Sequence, residues 1–231
     1  MGSPLVLLPG LMCDSRVWAE QLAALNDASP WSPDGYGDAA TITGMAESVL
    51  AMAPPRMALA GHSMGARVAL EVLRLAPERI ERLALLDTGV HPQRPGEREK
   101  RVALLELGRT HGMEALVDVW LPPMVHPSRR DDAAFLAPMR RMCVDAGLAT
   151  YERQMEALLA RPDATAALSL VQVPTLVGVG RQDQWSPISQ HEEIAARVPG
   201  ARLTVFEDSG HMAPVEAADQ VNRALRQWLT A

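Results

Sequence analysis

The stretch Gly61-His62-Ser63-Met64-Gly65 decides how this chain folds. It follows an apolar run at residues 57–60, typical of a buried strand, and it precedes the helical pattern of residues 66–73. Glycines two positions before and after Ser63 let the strand and the helix approach closely through a sharp, strained turn. The helix also directs its backbone N–H groups and its positive dipole end at the serine. The pattern is typical of a nucleophile elbow, although a tight turn with an incidental serine has the same spelling.

A serine hydroxyl is a weak nucleophile, so it needs a general base and a group that orients that base. Asp183 follows the apolar run at residues 173–180, and His211 follows the run at residues 201–206. Because the carboxyl ends of parallel strands meet at one edge of a sheet, both side chains are expected near Ser63. The order serine, aspartate, histidine along the chain predicts a Ser-His-Asp catalytic triad.

Each of the predicted partners of Ser63 has a competitor in the sequence. Asp87 follows the strand at residues 83–86 and is the alternative acid, although it would serve equally to cap the next segment. His62 adjoins the serine, but neighbours on a sharp turn point apart, so a structural role is expected for it. His211 has the alternative of being a loop histidine, and Asp208 is expected to brace its loop.

On these motifs the chain resembles an α/β-hydrolase of the small, capped serine esterase type over nearly its whole length. The motifs that carry the resemblance are Leu7-Leu8-Pro9-Gly10-Leu11, residues 61–65, Gly180-Arg181-Gln182-Asp183 and Ser209-Gly210-His211. The resemblance implies an oxyanion hole formed by the backbone N–H groups of Leu11 and Met64. Many members of that family have His-Gly where this chain has Pro9-Gly10. Since the donor is a backbone amide, this departure need not remove the oxyanion hole.

Strand and helix patterns alternate along the chain, which predicts an α/β fold with a doubly wound, mostly parallel sheet. The apolar run at residues 4–8 begins near the N-terminus, so the antiparallel strand pair usual in the resembling family is expected to be missing. About six strands would remain, with residues 28–31 as the weakest candidate among them. The helix candidates are Ser15–Leu25, Thr43–Ala53, Ala66–Leu75, Pro187–Arg197 and Pro214–Leu229.

The region between residues 91 and 164 has an entirely helical character, and in the resembling family this position holds a cap over the active site. We therefore predict a core at residues 1–90 and 165–231 and a helical cap at residues 91–164. The candidate pocket residues, which would otherwise pack the helices together, are Trp18, Trp120, Met124, Met142, Tyr151 and Trp185. The pairs Arg129-Arg130 and Arg140-Arg141 would contact an anionic substrate or form a solvated face.

Composition restricts the remaining possibilities. At 231 residues the chain fits one domain, and its 22 basic and 28 acidic residues give a charge of −6, with no electrostatic footprint for nucleic acid. Neither an apolar run long enough to cross a membrane nor a signal-peptide pattern occurs, so no membrane partner is predicted and the cytoplasm is expected. Cys13 and Cys143 do not form a metal-ligand cluster, and we predict no metal and no cofactor. The oligomeric state is not indicated.

These patterns together predict a hydrolase that cleaves a carboxylic ester of a small or medium acyl group through an acyl-enzyme. The resemblance also admits a C–C bond hydrolase or a thioesterase that uses the same triad. A ligand receptor that kept the pocket without turnover is the non-enzymatic alternative. Ser63 argues against haloalkane dehalogenases and epoxide hydrolases, whose elbow carries an aspartate.

Overall fold

A computed structural model describes residues 3–231, and a five-stranded parallel sheet lies at its centre. The strands, in chain order, are β1 (Leu5–Leu8), β2 (Met57–His62), β3 (Ile80–Leu86), β4 (Thr175–Gly180) and β5 (Arg202–Phe206). They lie side by side in that order, with Leu7 opposite Ala60 in the first pair. Strands β1, β2 and β4 are buried at every residue, as expected where helices cover both faces of a sheet. The predicted α/β fold with a parallel sheet is confirmed.

The expected sixth strand is reduced to a single bridge at Trp31. The N–H of Trp31 donates to the Leu5 carbonyl, and the Trp31 carbonyl accepts from the Leu7 N–H, both at 2.8 Å. The pairing cannot extend to Pro33, because proline has no N–H to donate. On the other side of Trp31 the chain leaves the extended conformation at Ser29, which has a φ of +46°. The estimate of about six strands was therefore one too high. No antiparallel pair precedes β1 within residues 3–231.

Helices cover the sheet in two groups. The helices are α1 (Ala19–Ala24), α2 (Ile42–Met52), α3 (Met64–Leu75), α4 (Glu97–Trp120), α5 (Ala133–Leu159), α6 (Thr165–Leu168), α7 (Ile188–Arg197), α8 (Ala213–Glu216) and α9 (Ala218–Thr230). Helices α2, α3, α6 and α7 pack in a row, whereas α1 packs against α8 and α9. From β1 the chain first runs outward to Trp31 and then returns across β1 to β2, β3, β4 and β5 in turn. Because crossovers between parallel strands are right-handed, the helices before and after this reversal lie on opposite faces of the sheet.

The helix candidates are all present, although several of their ends differ from the prediction. The segment predicted as Ser15–Leu25 begins with a 3-10 turn at Ser15–Trp18 and continues as α1. The segment predicted as Pro214–Leu229 is divided into α8 and α9, because Ala217 leaves the helical region at φ −124° and ψ 39°. Helix α2 begins one residue before its predicted start, where the Thr41 side chain caps it by accepting from the Gly44 N–H at 2.9 Å.

Helices α4 and α5 occupy the insertion between β3 and β4 and pack against each other. Each is interrupted by a glycine in a non-helical conformation, Gly112 at φ 88° and Gly147 at φ 77°. A side chain would make such a backbone conformation costly, so glycine permits the change of direction at both positions. The division into a core and a cap at residues 91–164 stays a prediction, and residues 1 and 2 of that core lie outside the described residues. No helix within residues 3–231 has the length and apolar composition that a membrane span requires.

Candidate active site

Ser63 lies at the turn between β2 and α3 with a strained backbone, at φ 56° and ψ −116°. Its N–H donates to the Leu86 carbonyl at 2.9 Å, and its carbonyl accepts from the Thr88 hydroxyl at 2.9 Å. A Cβ at Gly65 would lie 2.2 Å from the Leu8 carbonyl oxygen, so only glycine lets α3 begin so close to β1. The surrounding backbone therefore holds the strained serine in place.

The structure brings the three predicted triad side chains into one hydrogen-bonded chain. The Ser63 Oγ lies 2.8 Å from His211 Nε2, and His211 Nδ1 lies 2.7 Å from Asp183 Oδ2. Asp183 and His211 are both buried, and each follows the carboxyl end of its own strand. In this arrangement Nδ1–H donates to the carboxylate, which leaves Nε2 as an acceptor for the serine proton.

Asp183 is held as a carboxylate by several donors. Its Oδ1 accepts from the backbone N–H groups of Trp185 at 2.8 Å and Ser186 at 2.9 Å, while Oδ2 receives the His211 ring N–H. Burial alone would raise the pKa of Asp183, but the His211 ring and these two amides outweigh it and lower that pKa. The acid that faces His211 is therefore ionised at neutral pH.

Asp87, the competing acid, has the opposite environment. It is fully buried, its Oδ1 accepts from the Gly180 N–H at 2.8 Å, and its Oδ2 has no partner within the described part of the chain. Burial, together with the negative charge of Asp183, raises the pKa of Asp87 well above its ordinary value. Burial therefore favours the neutral form of the Asp87 carboxyl group, which supports the end of β4 and makes no hydrogen bond to His211.

His62 contacts His211, the candidate base, through a hydrogen bond and through its ring. Its Nε2 lies 2.7 Å from the His211 carbonyl oxygen, which fixes the tautomer with Nε2–H as the donor. Burial, and next the charge of His211, lower the pKa of His62 to about 3, so this ring stays neutral. The Trp18 ring packs edge-on against it, with centroids 6.3 Å apart and planes at 89°. The position of His62 agrees with the structural role that was expected for it.

The loop after β1 carries Leu11, whose backbone N–H has no acceptor within residues 3–231; the same holds for the N–H of Met64. Both residues line one cavity together with Ser63 and His211. Two buried side chains hold this loop in place. The Tyr36 hydroxyl donates to the Pro9 carbonyl at 2.8 Å, and Gln154 Oε1 of α5 accepts from the Met12 N–H at 2.8 Å. Neither contact was anticipated, because both partners lie far from residues 9–12 in the sequence.

Glu216 and residues 124–126 hold the loop that carries His211. The Glu216 carboxylate accepts from the N–H groups of Gly210 at 2.8 Å and His126 at 2.7 Å, which joins two distant segments. The His211 N–H donates to the Met124 carbonyl at 2.7 Å. The Asp208 carboxylate accepts no hydrogen bond among the described residues, so the expectation that it braces this loop was wrong. Glu216 has that role, and it was missed because a glutamate in a helical pattern resembles any solvated residue.

Comparisons with known proteins agree with this geometry. The model of the alpha/beta hydrolase family matches residues 5–224. The chain belongs to the alpha/beta hydrolase family. It is 30% identical to a pimeloyl-[acyl-carrier protein] methyl ester esterase of Aromatoleum aromaticum, over 90% of each chain. It is 28% identical to a protein of Pseudomonas savastanoi that is named, provisionally, as a carbamate hydrolase, over 98% of this chain and 93% of the other. A malate-bound structure of a thermophilic esterase from Thermogutta terrifontis is similar, with a TM-score of 0.89 and 29% identity over 100% and 90% of the two chains.

In this α/β hydrolase a cavity of about 310 Å³ opens at Ser63 and His211. Four of the six predicted pocket residues line it: Trp120, Met124, Tyr151 and Trp185. The other two lie elsewhere, because Trp18 packs beneath His62 and Met142 is buried in α5 away from the cavity lining. Large apolar side chains that pack helices together resemble pocket residues in sequence, so the pattern did not separate the two sets.

The paired arginines of residues 129–130 and 140–141 do not line the cavity. Arg140 bonds to Asp118 at 2.6 Å and Arg141 to Asp145 at 3.1 Å on the surface, and Arg129 stacks on Phe135. Five other basic residues line the cavity instead: Arg67, Arg94, Lys100, Arg101 and Arg161. Only Arg67 had a signal in the sequence, since it lies one helical turn after Ser63.

Cys13 and Cys143 are both buried and free. A hydrogen bond to Cys143, followed by burial, raises the pKa of the Cys13 thiol well above its ordinary value. The thiol beside the Leu11 loop is therefore protonated and a poor nucleophile. Among the residues described, no cluster of three or more histidine, cysteine or acidic side chains has the proximity to hold a metal ion.

The raised pKa of Asp87 has a consequence for stability that depends on pH. From about pH 4, where an unfolded aspartate ionises, up to its raised pKa, the folded chain holds a proton that the unfolded chain has released. The free energy of unfolding then falls as pH rises, by about 1.4 kcal/mol per pH unit for this one proton. We expect Asp87→Asn to remove that component of the slope, as measured by urea unfolding at several pH values.

The exposed Asp131 provides a matched control, because Asp131→Asn makes the same chemical change at the surface. Its slope should follow that of the wild type. If Asp87→Asn and the wild type lose stability equally with rising pH across this window, Asp87 is not a buried neutral acid.

Proposed function

We propose that this α/β hydrolase is a serine hydrolase that cleaves a carboxylic ester with a small or medium acyl group. The observation that carries the proposal is the unbroken hydrogen-bonded chain from Asp183 through His211 to Ser63 at the wall of a cavity. The size of the cavity, about 310 Å³, suits a small organic substrate. The esterases among the relatives support the same class of reaction.

In the proposed first step, His211 Nε2 accepts the Ser63 proton as the Ser63 Oγ attacks the ester carbonyl carbon. Asp183 orients the imidazole and stabilises the imidazolium that forms. The negative charge that develops on the carbonyl oxygen is taken by the backbone N–H groups of Leu11 and Met64. A donor of this kind contributes about 3–4 kcal/mol to transition-state stabilisation, because it is fixed in place before the charge appears.

In the second step the imidazolium gives its proton to the departing alkoxide, which leaves as an alcohol, and Ser63 retains the acyl group as an ester. A water molecule then attacks this acyl-enzyme while His211 accepts one of its protons. Collapse of the second tetrahedral intermediate returns the proton to the Ser63 Oγ and releases the carboxylic acid. We place this chemistry between the core and residues 91–164, since Trp120 and Tyr151 line the cavity.

The proposal is tested by initial rates on p-nitrophenyl esters of increasing acyl length, with the wild type and Ser63→Ala compared. The wild type should hydrolyse short and medium esters, and the best acyl length reports the depth of the cavity. Ser63→Ala should lose at least about 1,000-fold in kcat, because it lacks the oxygen that becomes acylated. Residual activity near that of the wild type would remove Ser63 from the mechanism.

If neither protein hydrolyses these esters, thioesters and C–C substrates of the vinylogous diketone type are the next to be measured, since the same triad serves both. If the wild type binds such compounds without turnover, and Ser63→Ala binds them with the same affinity, the protein is a receptor. Thermal unfolding of both proteins controls for folding.

The assignment of the acid is tested by paired substitutions. Asp183→Asn replaces the carboxylate with an amide that stabilises the imidazolium poorly and favours the wrong histidine tautomer, so kcat should fall by about 10³- to 10⁴-fold. Asp87→Asn replaces a neutral carboxyl with a neutral amide of equal size and should change kcat less than about 10-fold. The reverse ranking in steady-state assays would assign the acid to Asp87.

A further inference from the structure

The cavity at Ser63 has a strongly basic side. The five basic residues named above line it, and Glu97 is the one carboxylate among the lining residues in the described part of the chain. The whole chain has a charge of −6, so this concentration of positive charge runs against the composition. A cavity walled by one sign of charge raises the local concentration of ligands of the opposite sign.

Glu97 is already fully occupied by other donors. Arg161 contacts it through two parallel bonds, Nη1 to Oε1 at 2.8 Å and Nη2 to Oε2 at 2.7 Å. Arg101 Nε donates to Oε1 at 2.9 Å, and the Arg94 backbone N–H donates to Oε2 at 3.1 Å. Burial would raise the pKa of Glu97, but the bonds to Arg161 and these neighbours lower it to about 2. Both oxygens of Glu97 are thus engaged by Arg101, Arg161 and a backbone N–H, and this single charge does not balance even those two guanidinium groups.

Arg67 is the most unusual of those three. Its Nη2 donates to the His91 carbonyl at 3.1 Å, but its Nη1 is buried and has no acceptor among the described residues. Burial, and then the positive charge of Arg161, lower the pKa of Arg67 to about 9. A guanidinium remains charged under these conditions, so the protein holds a partly desolvated cation that forms no ion pair with a counter-charge among the described residues. A bound anion would supply that counter-charge.

Arg94 and Lys100 extend this side of the cavity toward solvent. Both side chains are exposed, and neither makes a side-chain hydrogen bond or ion pair within residues 3–231. They lie three and nine residues after His91, whose carbonyl contacts Arg67, and all three cations line the same cavity, from the buried Arg67 to the exposed rim. We call Arg67, Arg94 and Lys100 the basic wall.

The basic wall begins close to Ser63 along the chain. Arg67 lies in the first turn of α3, four residues after Ser63, which immediately precedes this helix. Both residues line the same cavity. One small molecule can therefore contact the Ser63 hydroxyl and the Arg67 guanidinium at the same time.

We propose that the substrate is an ester that also carries a free carboxylate, which the basic wall binds while the ester carbonyl lies at Ser63. This inference rests on the proposed hydrolase function and adds the chemical class of the substrate. A planar guanidinium matches the two oxygens of a carboxylate, and Arg94 and Lys100 attract the anion at the rim. The cavity volume of about 310 Å³ limits the substrate to a small monoester of a dicarboxylic acid or a compound of similar size.

The test compares two esters of the same shape, monomethyl adipate and the methyl ester of adipic acid monoamide, in which a neutral amide replaces the carboxylate. Methanol release gives kcat/KM for each. The wild type should favour the carboxylate ester by about 10- to 100-fold, chiefly through a lower KM, because the bond is made to a charged group. Arg67→Gln should reduce this preference to near unity, and Arg67→Lys should restore part of it.

Arg140→Gln is the matched control, since it removes one positive charge from a surface position outside the cavity. Its preference should equal that of the wild type, which separates a local contact from a change in overall charge. Should Arg67→Gln fail to fold, Arg94→Gln at the exposed rim replaces it and should reduce the preference several-fold.

Hydrolysis of p-nitrophenyl acetate, which carries no carboxylate, tests the proposed hydrolase activity of the same protein preparations independently of the carboxylate site. If that ester is hydrolysed but neither methyl ester is, or both are at equal rates, the carboxylate site is wrong and the hydrolase stands. A preference that survives in Arg67→Gln and in Arg94→Gln also overturns the inference. Absence of hydrolysis of all three esters overturns the proposed function and the inference with it.

Discussion

The close approach of α3 to β1 at Gly65 is the constraint on which the rest of the site depends. There is no room for a side chain between this residue and the Leu8 carbonyl, so the helix begins directly beneath the strand edge. The turn that connects β2 to α3 must then be sharp, and Ser63 takes the positive φ that results. Its hydroxyl is thereby exposed above the sheet, with the N-terminal N–H groups of α3 beside it. A looser contact would relax the serine and remove both features together.

The second constraint is that residues from the α4–α5 insertion hold the groups beside Ser63. Gln154 of α5 fixes the backbone at Met12, next to the proposed oxyanion donor Leu11. The Met124 carbonyl accepts a hydrogen bond from the His211 N–H. Beside this contact, the Glu216 carboxylate accepts from the N–H groups of His126 and Gly210. The same insertion supplies Trp120 and Tyr151 to the cavity. The insertion that shapes the cavity therefore also positions His211, which links substrate fit to the geometry of the proposed catalytic base.

Sequence alone predicted what depends on local pattern and on strand ends. The elbow, the order of Ser63, Asp183 and His211, and the parallel sheet all follow from short motifs and from the rule that loops after parallel strands share one edge. Contacts between distant segments could not be predicted, such as Glu216 with His126 or Arg161 with Glu97, because each side chain alone resembles a solvated charge. The predicted sixth strand at residues 28–31 is a different case. It is reduced to a single bridge at Trp31, because Pro33 cannot continue the pairing.

Covalent labelling with a fluorophosphonate tests whether Ser63 is an activated nucleophile, because this reagent transfers a phosphonyl group to such a serine and releases fluoride and a proton. The intact wild-type protein should gain the mass of one phosphonyl group, located by peptide mapping at Ser63. Ser63→Ala should show no gain, and Asp183→Asn should react far more slowly because its histidine is poorly oriented. An unlabelled wild type, or a label of equal extent on Ser63→Ala, would contradict the assignment of Ser63 as an activated nucleophile.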